Sequence, residues 1–410
     1  MMASLTFEKL ALVCFDVQLD ETGKVQLADV RANFPGKVID DPIESTDADY
    51  VVYFCGDAAK YHKDTPIPES TRIVKDFSRN FSDIPEKQII TLGEIPVNVH
   101  GVGVYYRQMF ALDKDFFDAV TKVHEFQTLT ESDKVSPSHR KGLYISHVSD
   151  NDEESQFNLL RCSTNLDGPT AGFQSVDREI LDKINDAAGH VFKDNAPFNH
   201  VLAQVYRNTF EKMETNGVSK VKERKARIKA HSDKTKDMPD NGLIAFCTFY
   251  STAELNDRSR RSKEDSFDYV YKSTSVLTRL RFKLKDCVVD TAGKLEKSFD
   301  LKLYPNSVFM IPLSTNRLYT HEIVPPTASP DHIPTRLGYV VRCSKTDAVH
   351  RDGKTYLRES GVEVPLIPPT EDDIKELRNL YFAENTTAET IVYGRTVFSM
   401  NDGDYMKPLV

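Results

Sequence analysis

The chain of 410 residues has no tryptophan, no C-x-x-C pair and no apolar run approaching the ~18 residues of a membrane span. Its first twenty residues, MMASLTFEKLALVCFDVQLD, lack the basic start and long apolar centre of a signal peptide. A basic surplus is missing too: 53 Lys+Arg stand against 62 Asp+Glu, a net charge of -9, with a pI near 5.7. That balance argues against a dedicated nucleic-acid coat. The six cysteines (Cys14, Cys55, Cys162, Cys247, Cys287, Cys343) lie far apart. Four of them, Cys14, Cys55, Cys247 and Cys287, sit in or beside apolar runs such as LALVCFDV and LIAFCTFY, and read as buried thiols of a reducing compartment. The expectation is a cytoplasmic protein, with the nucleus left open and no membrane partner. NFS at Asn80 and NTT at Asn385 are then chance sequons.

What is present suffices for folding. Twenty-three Phe and 17 Tyr can build a sizeable core, which excludes disorder as the main state. At about 150 residues per domain the length suits two to three domains, or one enlarged one. Residues 1–95 alternate strand-like runs with polar turns and read as an N-terminal α/β or β-rich module of unknown role. Residues 97–110 read as a strand, 113–126 as a helix, 147–156 as an acidic loop, and 177–193 as an amphipathic helix. Thereafter VLAQVYRN, LIAFCTFYS, SVLTRLRFKL, FDLKLYPNSVFMIP, NRLYTHEIV and RLGYVVRC succeed one another. So many β-branched and aromatic runs in one stretch suggest a closed or double-sheet architecture such as a jelly roll. Thr370-x-x-Asp373 resembles a capping box opening a C-terminal helix.

The chemistry concentrates in Ile228-Lys229-Ala230-His231-Ser232-Asp233. In an extended segment, residues i and i+2 share a face, so H-x-D presents an imidazole and a carboxylate together. With a second His from another strand they form the facial triad that holds iron(II) and leaves adjacent positions open. With 11 His in the chain, about one H-x-D arises by accident. A second one, His350-x-Asp352, has no His downstream and runs into the turn Asp352-Gly353. His231 and Asp233 instead precede a strand, and His321 follows in the strand-like LYTHEIV. Beyond it, Arg336 and Arg342 have the same strand parity. Arginine on an apolar strand is costly unless it meets an anion, and its fork suits a carboxylate. Taken singly each residue has a plainer reading: a solvated pair for His231 and Asp233, a satisfied core histidine for His321, plain core for Tyr206, surface ion pairs for the arginines.

In order, NHVLAQVYRN, IKAHSDKTKD, YTHEIV and R-x-G-x-x-x-R resemble the signature of Fe(II)/2-oxoglutarate dioxygenases, closest to the AlkB-like branch. The resemblance covers about residues 170–345. It implies an α+β chain with a double-stranded β-helix (jelly-roll) core flanked by helices, set in a dioxygenase domain 96–410 with a C-terminal helical extension. It implies Fe(II) held by His231, Asp233 and His321, with O2 and 2-oxoglutarate as cosubstrates. Tyr206 and Arg336 would hold the distal carboxylate of 2-oxoglutarate, and Arg342 with Gln204 would lie near its keto-acid end. The products would be succinate, CO2 and an oxidised C–H bond. Gln204 in place of Asn, Gly338 between the arginines, and the insertion 256–268 depart from the AlkB pattern. Residues 219–236 carry eight Lys/Arg and two acids. That segment is either a solvated loop or a rim for an anion. The expected substrate is a small or amino-acid-like anionic molecule. The alternative is an N-methylated base of DNA or RNA, flipped into the pocket.

Overall fold

The computed structural model describes residues 2–40, 50–61, 67–130, 137–151, 153–161, 166–215, 218–290, 292–359 and 361–410 of a mixed α+β chain. At its centre two antiparallel four-strand layers lie face to face, one of them part of a nine-stranded sheet. Their strands are β1 (His200–Tyr206), β2 (Ile228–His231), β3 (Leu243–Tyr250) and β4 (Arg279–Leu284), followed by β5 (Ser298–Lys302), β6 (Ser307–Pro312), β7 (Tyr319–Val324) and β8 (Arg336–Arg342). The larger sheet runs β1-β8-β3-β6 and the smaller β2-β7-β4-β5. Among these eight strands only the hairpin β4–β5 joins successive members within one sheet; every other step from one to the next changes sheet.

The alternation of side chains decides what each strand buries. Val201, Ala203, Val205, Ala245, Cys247, Phe249, Leu337, Tyr339 and Val341 turn outward into one apolar cluster with helix α1 (Ser175–Val191). Their neighbours Leu202, Ile244, Phe246, Phe309 and Ile311 turn inward against Leu280, Phe282, Phe299 and Tyr319 of the smaller sheet. This explains why β1 and β3 read as continuous apolar runs: both faces are covered. Phe282 is the hub of the inner layer, its ring centroid 5.2 Å from Phe299, 5.5 Å from Phe309 and 6.2 Å from Phe246.

Before residue 95 lies a five-stranded parallel sheet, in the order 37–39, 10–15, 51–56, 71–74, 89–90. One of its faces joins the cluster of α1 through Val51, Tyr53 and Cys55, while Val13, Val52, Phe54 and Ile73 close a separate cluster on the other. At the far end, helix α2 (Glu371–Thr386) opens on the Thr370 capping box, with Asp373 accepting from the Thr370 backbone at 2.9 Å. The last residues return to the body, where Gly172 N donates to Leu409 O at 2.6 Å.

Three sequence expectations need correction. Residues 97–110 are a hairpin, not one strand: Pro96–Val99 and Gly103–Tyr106 turn at His100 and Gly101, both at positive φ. The acidic stretch 147–156 also forms a hairpin, with Val148–Asp150 paired to Ser155–Leu159. Cys287 is exposed, because it lies just past the end of β4 in the turn closed by Val288 N and Lys285 O. Cys343 is buried, as are Cys14, Cys55 and Cys247; Cys162 lies outside the described residues. Among the described residues, no helix is long and apolar enough to cross a membrane.

Candidate metal centre

β2 and β7 pair so that His231 stands opposite His321, bringing two imidazoles 90 positions apart onto one rung, ring centroids 4.4 Å apart. β2 ends at His231, and the chain then places Asp233 beside both rings. Asp233 Oδ1 lies 3.6 Å from His231 Nε2 and 3.8 Å from His321 Nε2. The three donor atoms fall within 4.8 Å of one another, close enough for a single ion to touch all three. The other ring nitrogen of His231, Nδ1, is 2.9 Å from Lys229 O, which fixes the proton there and leaves Nε2 its lone pair.

The electrostatics suit a cation. Asp233 is 5% exposed. Burial alone would raise its carboxyl, but Arg342 and the two imidazoles hold it well below the usual carboxylate range. Arg342 grips the far oxygen, with Nε and Nη2 each 2.8 Å from Asp233 Oδ2, so Oδ1 stays turned to the histidines. Burial, with His231 nearby, pushes His321 down to about 3, so the ring is neutral and able to ligate at pH 7. Asn316 clamps the Asp233 backbone from both sides, accepting from its N–H and donating to its carbonyl, each at 2.9 Å. Sequence reasoning missed Asn316, which lies 83 positions away with no local signal.

A second group occupies the inner wall of the larger sheet. Arg336 on β8 is flanked in register by Tyr206 of β1 and Tyr250 of β3, and its guanidinium lies 4.0 Å over the Tyr206 ring. It is 4% exposed, yet Nε and Nη2 have no hydrogen-bond partner among the described residues. Buried guanidinium N–H groups of this kind call for an anion. Gly338 stands opposite Gln204, and a Cβ there would lie 3.0 Å from both Arg336 Nη1 and Tyr206 Cε2. The missing side chain is what lets guanidinium and ring lie together. Tyr206 OH donates to Gln204 Oε1 at 2.7 Å. Arg342 is opposite His200, so it stands by Asp233 while Gln204 stands by Tyr206. His200, unremarked in the sequence, is buried with Nδ1 lacking a partner among the described residues.

All seven expected site residues are thus on inward-facing positions or at the strand end beside them. The second H-x-D is elsewhere: His350 Nδ1 bonds Thr355 Oγ1 at 3.0 Å, and Asp352 is in a turn at positive φ. Of the eight cations in the basic segment 219–236, four have partners within the chain, while Lys222, Arg227 and Lys229 are exposed. Lys234 Nζ donates to Tyr381 O at 3.0 Å, and buried Lys236 pairs with Asp237 at 3.3 Å. Lys225 donates to the carbonyls of Pro326 and Thr327, and Arg224 pairs with Glu211. In the insertion, Arg258 ends a short helix and donates to Ile333 O at 3.2 Å.

No protein-family model matches the chain, and no curated protein matches it. Among solved structures it is similar to one described as a selenomethionine-labelled Fe(II)/(alpha)ketoglutarate-dependent dioxygenase, TqaL. That likeness is 9% in sequence identity and 0.24 in TM-score, over 64% of this chain and 82% of the other. So distant a likeness carries no argument; the residues do.

Proposed function

We propose that the chain is an Fe(II)- and 2-oxoglutarate-dependent dioxygenase that oxidises a C–H bond of a small or amino-acid-like anionic substrate. The observation that carries the reading is Arg336: a buried guanidinium with two unanswered N–H donors, on the inner wall of the same pair of sheets that gathers His231, Asp233 and His321. Two imidazoles and one carboxylate are the donor set that iron(II) takes while keeping adjacent positions open. The alternation of β1–β8 between two sheets, β1-β8-β3-β6 over β2-β7-β4-β5, supports a double-stranded β-helix.

Bound iron supplies activation of O2, coupled to loss of CO2 from 2-oxoglutarate. The chain's own residues do the rest. His231 Nε2, His321 Nε2 and Asp233 Oδ1 hold the ion, and Arg342 keeps Asp233 ionised and turned. Arg336 takes the distal carboxylate of the cosubstrate in its fork, and Tyr206 supports that guanidinium from one side with its ring. Phe246 and Phe282, with centroids 5.0 and 5.6 Å from the His321 ring, exclude water from that side. The nucleic-acid alternative would rest on the exposed Lys222, Arg227 and Lys229, since Arg224, Lys225, Lys234 and Lys236 each already have a partner within the chain.

Succinate release from 2-oxoglutarate with Fe(II), across metabolite and methylated-oligonucleotide panels, tests the reading. His231→Ala abolishes it, and Arg336→Ala raises the 2-oxoglutarate requirement at least tenfold. Unchanged turnover in His231→Ala would overturn the iron assignment.

A further inference from the structure

Beyond His231 the metal-bearing strand has ended, so the backbone N–H groups of the next residues need partners from elsewhere. They find them in side chains. Ser232 N donates to Asn385 Oδ1 at 2.8 Å, Asp233 N to Asn316 Oδ1 at 2.9 Å, and Thr235 N to Glu384 Oε1 at 2.9 Å. Two of these three acceptors belong to the last turn of α2, some 150 positions away. The same turn takes the loop's side chains: Lys234 Nζ donates to Asn385 Oδ1 and to Tyr381 O, each at 3.0 Å, and the Thr235 hydroxyl donates to Glu384. Ser232 Oγ reaches the other way, to Tyr319 O at 3.1 Å, on the strand that bears His321.

The turn of α2 is itself tied down. Lys285, just past β4, donates to Glu384 O at 2.7 Å and Thr387 O at 2.9 Å, and Tyr393 OH donates to the second oxygen of Glu384. Two ammonium groups at a helix C-terminus also match the negative end of its dipole. Asn385, which the sequence offers as a sequon, is therefore committed inward, toward the loop.

On the metal reading above, we propose that α2 is a working part of the metal centre: Asn385 and Glu384 are positioning residues that set the spacing of His231 and Asp233. Asn385 fixes the residue before Asp233 and Glu384 the residue two beyond it, so the carboxylate is pinned from both sides before any ion arrives. Groups that orient ligands in this way typically change metal affinity about 10–100-fold when removed.

The test is a Co(II) titration followed by absorption spectroscopy, with thermal melts of the metal-free chains alongside. Asn385→Ala, and Asn385→Leu as a variant of similar volume, should bind Co(II) at least tenfold more weakly and alter the ligand-field spectrum. Asn385→Asp keeps the acceptor oxygen and should restore both to wild type. Wild-type affinity and spectrum in either folded variant that lacks the acceptor would overturn the proposal. So would a loss that Asn385→Asp fails to rescue. A wild-type chain that takes up no Co(II) would overturn the metal reading together with this one, whereas wild-type uptake matched by Asn385→Ala overturns this one alone.

Discussion

Asp233 uses its two oxygens differently. Oδ2 receives the Arg342 fork and Oδ1 faces two imidazoles, so one carboxylate is both held ionised and presented. At Arg336 the balance is left open, and Gly338 is what keeps it so. Gly338→Ala would put a methyl group 3.0 Å from Arg336 Nη1 and from Tyr206 Cε2, displacing one of them. The expected outcome is a 2-oxoglutarate affinity weakened about tenfold, a change of ~1.4 kcal/mol, with a smaller effect on melting. Calorimetric titration beside a thermal melt checks it; equal affinity would mean the space at Gly338 has no bearing on the cosubstrate. The motif residues were legible in the sequence because H-x-D and the parity of Arg336 and Arg342 are local patterns. Asn316, Glu384 and Asn385 were not, because their partners are 83 to 153 positions distant and meet only after folding.

Strands and helices set those side chains by alternation. On β8, Arg336, Gly338 and Arg342 share one face while Leu337, Tyr339 and Val341 fill the other, against α1. On the opposite sheet, Phe282 of β4 stands in register with His321 of β7 and packs across to Phe309. Phe282→Ala should cost about 3–5 kcal/mol of unfolding free energy, measured by denaturant titration, because the cavity opens at the hub of the inner layer. A cost under 1 kcal/mol would mean that the two sheets close over the gap. Most of these strands were legible as aromatic and β-branched runs. The hairpin at 97–110 was not, because the apolar alternation Val97, Val99 resumes at Val102 and Val104 and masks the turn signal of His100-Gly101, both at positive φ.

Across the whole molecule, a net charge of -9 conceals cations that the fold uses internally, Lys234 and Lys236 beside Asp233 among them. Buried Arg161 carries this furthest: it pairs with Asp237 at 2.7 Å and donates to Thr396 O at 2.7 Å, tying the C-terminal segment to the body. Asp404 sits in the same region, accepting from Ser399 Oγ at 2.6 Å, and burial pushes its carboxyl up to about 6. The folded chain thus keeps a proton there that the unfolded chain loses near pH 4. That contribution to stability is complete below pH 4 and is lost as pH rises through about 6, a swing of roughly 3 kcal/mol. Asp404→Asn should therefore match wild type in melting at pH 4 and exceed it at pH 8; an equal difference at both pH values would contradict the assignment.

On the proposed reading, the two facing sheets hold iron(II) and 2-oxoglutarate together, through His231, Asp233 and His321 on one side and Arg336 on the other. Anaerobic calorimetric titration of 2-oxoglutarate into the chain, with and without Fe(II), tests it most directly. The expected result is one site per chain, tight only with the metal present and weakened at least tenfold in Arg336→Ala. Binding that is indifferent to Fe(II), or unchanged in Arg336→Ala, would contradict it.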